Sequence, residues 1–199
     1  MRYKTLIPKS EARRLVIERR GELSEFDVNA RSNLIIDKLL TLDDFIYAQN
    51  IFAYINARHG EVQTRQLIDI MDGRGKSIIL PKLNRKSKTF HRFHFMGWDS
   101  LMKNNEGYYE PKLGIDEDLS DIDLILLPAV AVSIKGQRVG NGGGYYDKLL
   151  RNTRAPKYVL AFEFQIFDYI ESTNQDIRVD KIITERRVID TRKKLIFTK

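Results

Sequence analysis

Four glycines fall within five residues, at positions 140 and 142–144, shortly after the most apolar run of the chain, residues 123–132. Glycine loses more backbone entropy on folding than other residues, so a folded domain concentrates it where φ must be positive or where the main chain passes close to another group. The following residues, YYDKLLRN, predict the start of a helix. A strand, a glycine loop and a helix in this order can hold phosphate with main-chain N–H groups. The spacing matches neither a P-loop nor the dinucleotide-binding fingerprint, so the residues alone leave a plain turn and an anion site equally open.

Strand-like and helix-like segments alternate along the rest of the chain. Strands are predicted at residues 50–55, 77–81, 89–98, 123–132 and 157–162, with short strand pieces from residue 181 onward. Helices are predicted at residues 9–20, directly after Pro8, and at residues 64–76. Between them, Ser24 caps a further predicted helix, whose apolar stripe consists of Leu34, Ile35, Leu39 and Leu42. This alternation predicts an α/β fold, a single domain with a mainly parallel central sheet flanked by helices.

Composition excludes several classes of protein. The length of 199 residues suits one domain, of which we expect residues 1–7 to be a flexible extension. The lack of cysteine excludes disulfides, thiolate metal sites and a thiol nucleophile. No apolar run approaches the roughly 20 residues that span a bilayer, and residues 1–14 do not form a secretory signal, so we expect a cytoplasmic protein without a membrane partner. The net charge of +7 favours an anionic partner, whether nucleic acid, nucleotide or polycarboxylate.

The segment PAVAVSIKGQRVGNGGGYYDKLL, residues 128–150, resembles the hallmark of the 5-formyltetrahydrofolate cyclo-ligase (5,10-methenyltetrahydrofolate synthetase) family. Further short matches follow the family order along nearly the whole chain. They are Lys9 with Arg13 (K-x-x-x-R), EVQT at 61–64, LPK at 80–82, YEP at 109–111, AFEFQ at 161–165 and QDIRVDKIITE at 175–185. The chain departs from the family pattern at Val132 and Ser133, where Phe-Asp is usual, at Gln175, where His is frequent, and at Gly143, where Lys or Arg is frequent.

The resemblance implies a fold and a reaction. The fold would be Rossmann-like with three layers, of the NagB/RpiA/CoA-transferase kind. The family converts 5-formyltetrahydrofolate and MgATP to 5,10-methenyltetrahydrofolate, ADP and phosphate, through phosphorylation of the formyl oxygen and ring closure by N10. Such a reaction needs positioning and charge neutralisation rather than a covalent nucleophile, which suits a chain without cysteine.

The resemblance also implies the residues of the site. Arg138 and Tyr146 would serve catalysis, and Asp147 and Asp176 would hold Mg²⁺. The folate would contact Asn56, Glu61 and Tyr145. ATP would be bound by Lys9, Arg13, Arg138, Val139, Gly140, Asn141, Gly142, Gly143, Gly144, Tyr145 and Tyr146.

Simpler roles remain open for several of these residues. Lys9 and Arg13 stand four apart on one helix face and can point at the same anion, but charge alone favours a solvated basic face. Asp147 could instead be a first-turn acid that complements a helix dipole. One of Tyr145 and Tyr146 is expected in the site and the other partly in the core, with Trp98, Tyr108 and Tyr109 as alternative aromatic walls.

Two other classes of function stay open. A basic nucleic-acid-binding module fits the net charge and the mixed aromatic and basic stretches at 89–95 and 186–194, although no nucleic-acid-binding signature is present. A sugar-phosphate or acyl-carrier enzyme on a related fold is the third, since a fold does not fix a function. Our expectation is a monomeric enzyme that uses ATP, Mg²⁺ and a reduced folate, with or without a polyglutamate tail, and binds no nucleic acid.

Overall fold

The computed structural model describes residues 6–104, 107–151 and 153–192. The helices are α1 (Lys9–Gly21), α2 (Glu25–Leu40), α3 (Asp43–Tyr47), α4 (Arg65–Gly73) and α5 (Tyr145–Leu150). The strands are β1 (Leu6–Ile7), β2 (Asn50–Phe52), β3 (Ser77–Asn84), β4 (Thr89–His94), β5 (Leu101–Lys103), β6 (Tyr109–Pro111), β7 (Leu124–Pro128), β8 (Ala131–Ser133), β9 (Arg138–Val139), β10 (Lys157–Leu160), β11 (Ile166–Phe167), β12 (Tyr169–Ile170), β13 (Lys181–Ile183) and β14 (Val188–Asp190). Short 3₁₀ turns lie at Trp98–Ser100 and Glu163–Gln165.

The largest sheet among these residues has seven strands in the order β14-β13-β10-β7-β2-β3-β4. Its five inner strands, from β13 to β3, pair in parallel, whereas β14 and β4 pair antiparallel at the two edges. Parallel strands are buried on both faces and read as continuous apolar runs, which is the pattern of β7 and β10. The sequence expectation of a mainly parallel central sheet is therefore confirmed.

Helices cover both faces of this sheet. Leu124 and Leu126 of β7 pack with α2, α3 and α4, whereas Ile125 and Leu127 face the opposite core, to which α5 contributes Leu149 and Leu150. The alternation follows from the pleat, which points successive side chains to opposite faces. The result is the three-layer arrangement that the sequence predicted.

A third, smaller core attaches α1 to the rest of the molecule. Ala12 and Val16 of α1 are fully buried against residues of β8, β9 and β12. Short strand pairs support this side: β11-β8-β9 form one small sheet, and β1 pairs in parallel with β12. This packing fixes the orientation of α1, and with it the direction in which the cations of α1 point.

The structure differs from the expected elements in several places. The predicted strand 123–132 is two strands, β7 and β8, and the predicted strands 50–55 and 157–162 end at Phe52 and Leu160. Leu34 is 48% exposed, and Ile36 takes its place in the core. The Ser24 cap is confirmed, since its Oγ accepts a hydrogen bond from the Asp27 N–H at 3.1 Å.

The two ends of the chain can be compared with expectation only in part. Residues 1–5 of the expected flexible extension and the strand pieces expected in 193–199 lie outside the described residues. Leu6 and Ile7 are not an extension, because they pair with Tyr169 and Ile170. Within the described ranges, no helix is both long and apolar enough to cross a membrane.

Candidate active site

A cleft of about 670 Å³ opens beyond the carboxyl ends of the central strands β2 and β7. Ligands of open parallel sheets bind at this edge, because the loops that leave the strands there can converge on one point. The lining comes from distant parts of the chain: α1, the turn after β2, the strands β3 and β4, the glycine loop with α5, and residues 173–176.

The glycine loop joins β9 to α5 and forms one wall of the cleft. Gly142 and Gly144 have φ of 99° and 67°, a backbone region that favours glycine. At Gly143 a Cβ would lie 2.5 Å from the Tyr145 ring. Glycine is thus required at these positions by backbone conformation and by the packing of the loop on itself.

The two cations of α1, Lys9 and Arg13, also line the cleft. Arg13 Nε donates to the carbonyl oxygen of Gly140 at 2.8 Å, so α1 holds the start of the loop. Lys9 Nζ lies 2.6 Å from Oδ1 and 2.5 Å from Oδ2 of Asp176. The spacing of four residues does place Lys9 and Arg13 on one face, and both line the cleft.

Arg138 is a buried cation at the floor of the cleft. Its side chain is 3% exposed, and its Nη2 lies 3.5 Å from Oδ2 of Asp147. The guanidinium lies 5.2 Å from the ring centre of Tyr146. Burial lowers the pKa of Arg138, and the Asp147 carboxylate opposes that shift. Arginine stays protonated even so, and a buried cation next to a cleft favours an anionic ligand.

Two polar atoms at the floor of the cleft have no hydrogen-bond partner among the described residues. They are Arg138 Nε and Asp147 Oδ1, and both are buried. Asp147 therefore keeps one carboxylate oxygen free, which fits a group that holds Mg²⁺. Asp176 does not, because Lys9 binds both of its oxygens and the Thr173 N–H donates to Oδ2 at 2.6 Å. Within the described ranges, no cluster of three or more acidic or histidine side chains could hold a metal by itself.

Glu61 lines the cleft and is 8% exposed. Its Oε2 accepts hydrogen bonds from the N–H groups of Ala57 and Arg58, at 2.9 and 3.1 Å. Its Oε1 lies 3.7 Å from Nη1 of Arg20, which is itself 6% exposed. The carboxylate is thus held in one orientation, with one oxygen less completely bonded than the other.

Comparison with known proteins agrees with this geometry. The model of the 5-formyltetrahydrofolate cyclo-ligase family matches residues 7–185. The chain belongs to this family. A 5-formyltetrahydrofolate cyclo-ligase of Haemophilus influenzae is 29% identical to it over 170 residues, which cover 82% of this chain and 90% of the relative. A probable 5-formyltetrahydrofolate cyclo-ligase of Schizosaccharomyces pombe is 28% identical, over 92% of this chain and 98% of the relative.

Solved structures show the same relationship. The 5,10-methenyltetrahydrofolate synthetase of Aquifex aeolicus superposes with a TM-score of 0.82 at 31% identity, over 94% of each chain. The corresponding protein of Mycoplasma pneumoniae, at 20% identity and a TM-score of 0.69, covers 89% of this chain and 98% of its own, and supports the fold. The expected family, fold and enzyme class are confirmed, and neither the nucleic-acid-binding module nor the sugar-phosphate or acyl-carrier enzyme gains support.

With the family established, most of the residues expected at the site of this cyclo-ligase do line one cleft. The exception is Asn56, which lies outside it and lines a separate cavity of about 400 Å³. Its side-chain amide donates to Gln63 at 2.9 Å, and its carbonyl accepts from the Thr64 N–H at 3.1 Å. Asn56 closes the turn that carries Glu61, and its contact with the substrate stays a prediction.

The aromatic wall of the cleft differs from expectation. Phe90 of β4 packs against both tyrosines of the loop, with ring centres 5.5 Å from Tyr145 and 4.9 Å from Tyr146. Tyr108 and Tyr109 also line the cleft, whereas Trp98 lies elsewhere, against Phe95. Burial raises the pKa of Tyr146, so its hydroxyl stays protonated.

Tyr54 and Phe90 are among the cleft residues that sequence reasoning missed. Tyr54 follows the carboxyl end of β2, a position that in a parallel sheet points to a ligand. Phe90 belongs to the alternating stretch TFHRFHF. This alternation predicted a strand, but it did not predict that the strand lies beside the glycine loop. Only the packing of β4 against α5 brings these segments together.

Proposed function

We propose that this chain converts 5-formyltetrahydrofolate and ATP to 5,10-methenyltetrahydrofolate, ADP and phosphate, and that it needs Mg²⁺. One observation carries the proposal. In this member of the cyclo-ligase family, a glycine loop, the α1 cations and a buried Arg138–Asp147 pair line one cleft. One carboxylate oxygen of Asp147 has no hydrogen-bond partner among the described residues. The cleft, at about 670 Å³, falls in the size range of small-molecule sites.

The chemistry explains why a nucleotide is needed. The formyl group on N5 is an amide, with a weakly electrophilic carbon and an oxygen that leaves poorly. Transfer of the γ-phosphoryl group of ATP to this oxygen releases ADP and creates a good leaving group. N10 then attacks the same carbon and loses its proton, and the oxygen departs as inorganic phosphate. No side chain has to form a covalent bond, so the protein contributes positioning and charge.

The glycine loop and α1 are proposed to bind the triphosphate. Glycine leaves the main-chain N–H groups of residues 140–144 accessible, and the contact from Arg13 to Gly140 fixes the loop before the ligand arrives. Lys9 supplies a mobile point charge at the edge of the same cleft. Val139 and Asn141 contribute main chain to this wall.

Arg138 is proposed to act on the phosphoryl group that is transferred. Its guanidinium is buried, positively charged and short of one hydrogen-bond partner, so it can stabilise negative charge that develops on the phosphoryl oxygens. Tyr146 lies under this guanidinium and, because its hydroxyl stays protonated, can donate a hydrogen bond to the same group.

Asp147 is proposed as the protein ligand of Mg²⁺, since its Oδ1 has no hydrogen-bond partner and the residue lines the cleft. The ion would neutralise charge on the phosphate oxygens of ATP. Asp176 is proposed as a second carboxylate in a complex in which Lys9 has turned from it to the phosphates.

The folate is proposed to lie on the wall that carries Glu61. A carboxylate accepts hydrogen bonds only, so Glu61 suits the N–H-rich edge of the pterin ring. Tyr145, at the end of the glycine loop, can stack on an aromatic part of the substrate between the two subsites.

The direct test mixes the purified protein with 5-formyltetrahydrofolate, ATP and Mg²⁺ and follows the absorbance band of methenyltetrahydrofolate. We expect the band only when all three are present, with one ADP released per molecule formed. Removal of Mg²⁺ by a chelator should stop the reaction, and its return should restore it. Failure of the complete mixture to form the band would overturn the proposal.

The finer expectations belong to the same proposal. We propose that the working unit is a monomer. We propose that it acts in the cytoplasm on reduced folates with or without a polyglutamate tail. Gel filtration coupled to light scattering tests the oligomeric state. KM values for mono- and polyglutamylated substrate test the preference for a polyglutamate tail.

A further inference from the structure

Tyr54 is a buried residue of the cleft to which the reaction outlined above gives no task. It is 4% exposed and lines the cleft beside Glu61. Its main-chain carbonyl accepts a hydrogen bond from Thr64 Oγ1 at 2.8 Å, which fastens the backbone behind the ring. The ring is therefore held in place, and its environment determines what the hydroxyl can do.

The hydroxyl of Tyr54 has no hydrogen-bond partner among the described residues. It is also not one of the side-chain atoms that are both unpaired and sealed from solvent. Since Tyr54 lines the cleft, the small exposed part of the residue faces that space. Buried polar groups normally find a partner, and a phenylalanine would fill the same volume without an unpaired hydroxyl. A group that enters the cleft can supply the partner.

The hydroxyl remains protonated next to a carboxylate. Burial raises the pKa of Tyr54 well above its usual value, the charge of Glu61 raises it further, and Arg20 acts in the opposite direction. The neighbouring Glu61 can only accept hydrogen bonds, whereas a neutral phenol can donate one. Glu61 and Tyr54 thus offer a bound ligand one hydrogen-bond acceptor and one hydrogen-bond donor.

This pair complements the edge of a lactam, in which an N–H stands next to a C=O. The pyrimidine ring of a pterin has such an edge, with the N3–H and the 4-oxo group adjacent. We propose that Tyr54 is a specificity-determining residue, whose hydroxyl donates a hydrogen bond to the pterin carbonyl oxygen next to the N–H groups that Glu61 accepts. The inference rests on the proposed function and adds a second recognition group to its folate subsite.

The test compares Tyr54→Phe with the wild-type protein. Loss of one hydrogen bond should raise the KM and the dissociation constant for 5-formyltetrahydrofolate by about tenfold. The KM for ATP should stay unchanged. The melting temperature without ligand should stay equal or rise, because the variant loses only an unpaired buried hydroxyl. An unchanged folate KM and dissociation constant would overturn the inference.

Tyr158→Phe is the matched control, because Tyr158 is also a buried tyrosine but its hydroxyl donates to Asp44, outside the cleft lining. It should lower the melting temperature and leave both KM values unchanged. If Tyr54→Phe also melts early and loses affinity for both substrates equally, Tyr54 is a structural residue and the inference is wrong.

Calorimetric titration of 5-formyltetrahydrofolate without ATP separates this inference from the proposed function. A wild-type protein that binds the folate but forms no methenyl product would overturn the proposed reaction, while the Tyr54→Phe titration would still decide the role of the hydroxyl. A wild-type protein that does not bind the folate would overturn both.

Discussion

The ammonium group of Lys9 lies between the two carboxylate oxygens of Asp176, at 2.6 and 2.5 Å, although 167 residues separate them in sequence. The ion pair joins the first turn of α1 to the segment that follows β12. Both residues line the cleft, and both were expected to meet ATP or its metal. The two charges satisfy each other in this contact, so a bound triphosphate has to join it or replace it.

The first prediction concerns the two cations of α1. Lys9→Ala and Arg13→Ala should each raise the KM for ATP by about tenfold or more, since a charge-assisted contact to phosphate is lost. The KM for the folate should change much less. Arg14→Ala is the control, because Arg14 lies on the same helix but pairs with Glu11 and Glu18 on its exposed face. Equal effects on both substrates would mean that Lys9 and Arg13 only hold the fold.

The second prediction concerns acid. Burial would raise the pKa of Asp176, but the hydrogen bonds from Lys9 and Thr173 outweigh it, so the net pKa lies below the usual value. The folded chain therefore binds this proton less readily than the unfolded chain. The ion pair stabilises the fold fully above about pH 4, and this contribution is lost as the pH falls further.

Urea unfolding of the wild type and of Lys9→Ala at a series of pH values checks this. The difference in unfolding free energy between the two proteins should be present at neutral pH and shrink as the pH falls below about 4. A difference that stays constant over this range would show that Lys9 stabilises the protein by packing rather than by its charge.

The third prediction concerns the glycine loop. Alanine at Gly142 or Gly144 meets no atom within 4 Å but has to adopt a positive φ, which costs about 1–3 kcal/mol. The loop is exposed and lies outside the core, so we expect the fold to persist while cyclisation and ATP affinity fall by about tenfold or more.

Melting with and without MgATP, next to the absorbance assay, measures both effects. Gly73→Ala is the control, since this glycine ends α4, has no positive φ and would meet no atom within 4 Å. If Gly142→Ala and Gly144→Ala still gain the full stabilisation from MgATP, the glycines only make a turn and the phosphate-binding role is wrong.

The parts of the fold that depend on residues close together in sequence were predictable. Buried strands such as β7 and β10 are short apolar runs between turns, and their alternation with helices indicates a parallel sheet. The break between β7 and β8 was not predictable, because the apolar run continues through Ala129 and Val130. Two-residue strands such as β11 and β12 carry no periodicity, so only their partners define them.

The parts of the site that belong to a sequence motif were predictable. The family resemblance, to which the loop and the Lys9–Arg13 spacing contribute, implied an anion site, and both features line one cleft. Tyr54 and Phe90 were missed because their position depends on how β2 and β4 pack against distant segments. The position of Asn56 outside the cleft lining has the same cause: the turn after β2 folds back on itself, and Gln63 and Thr64 bind its amide.

The fourth prediction concerns Asp147. Asp147→Asn removes the charge of the unpaired oxygen at the cleft floor, and loss of a metal-held charge raises the barrier by several kcal/mol. We expect turnover to fall by at least about a hundredfold and the Mg²⁺ concentration at half-maximal rate to rise. Asp168→Asn, an exposed acid outside the cleft, should change neither. Unchanged activity of Asp147→Asn at limiting Mg²⁺ would exclude the metal role.

The fifth prediction concerns Arg20, which supports Glu61 from behind. Its Nη2 donates to the Ala129 carbonyl at 2.8 Å, and its Nη1 lies 3.7 Å from Glu61 Oε1. A Cβ added to Gly60 would lie 2.7 Å from the Arg20 Cβ. Lysine cannot make both polar contacts at once, because it lacks the planar fork of arginine. Arg20→Lys should therefore lower the unfolding free energy by about 1–3 kcal/mol.

The same change should also release Glu61, so the KM for the folate should rise by about tenfold while the KM for ATP stays within about twofold of the wild type. Gly60→Ala, which pushes against Arg20 from the turn, should reproduce this split between the two substrates. Arg19→Lys is the control, since Arg19 is exposed and, among the described residues, its side chain contacts only the Phe164 carbonyl, at 3.5 Å. A stability loss without any change in the folate KM would show that Arg20 supports the core and leaves the orientation of Glu61 to the N–H groups of Ala57 and Arg58.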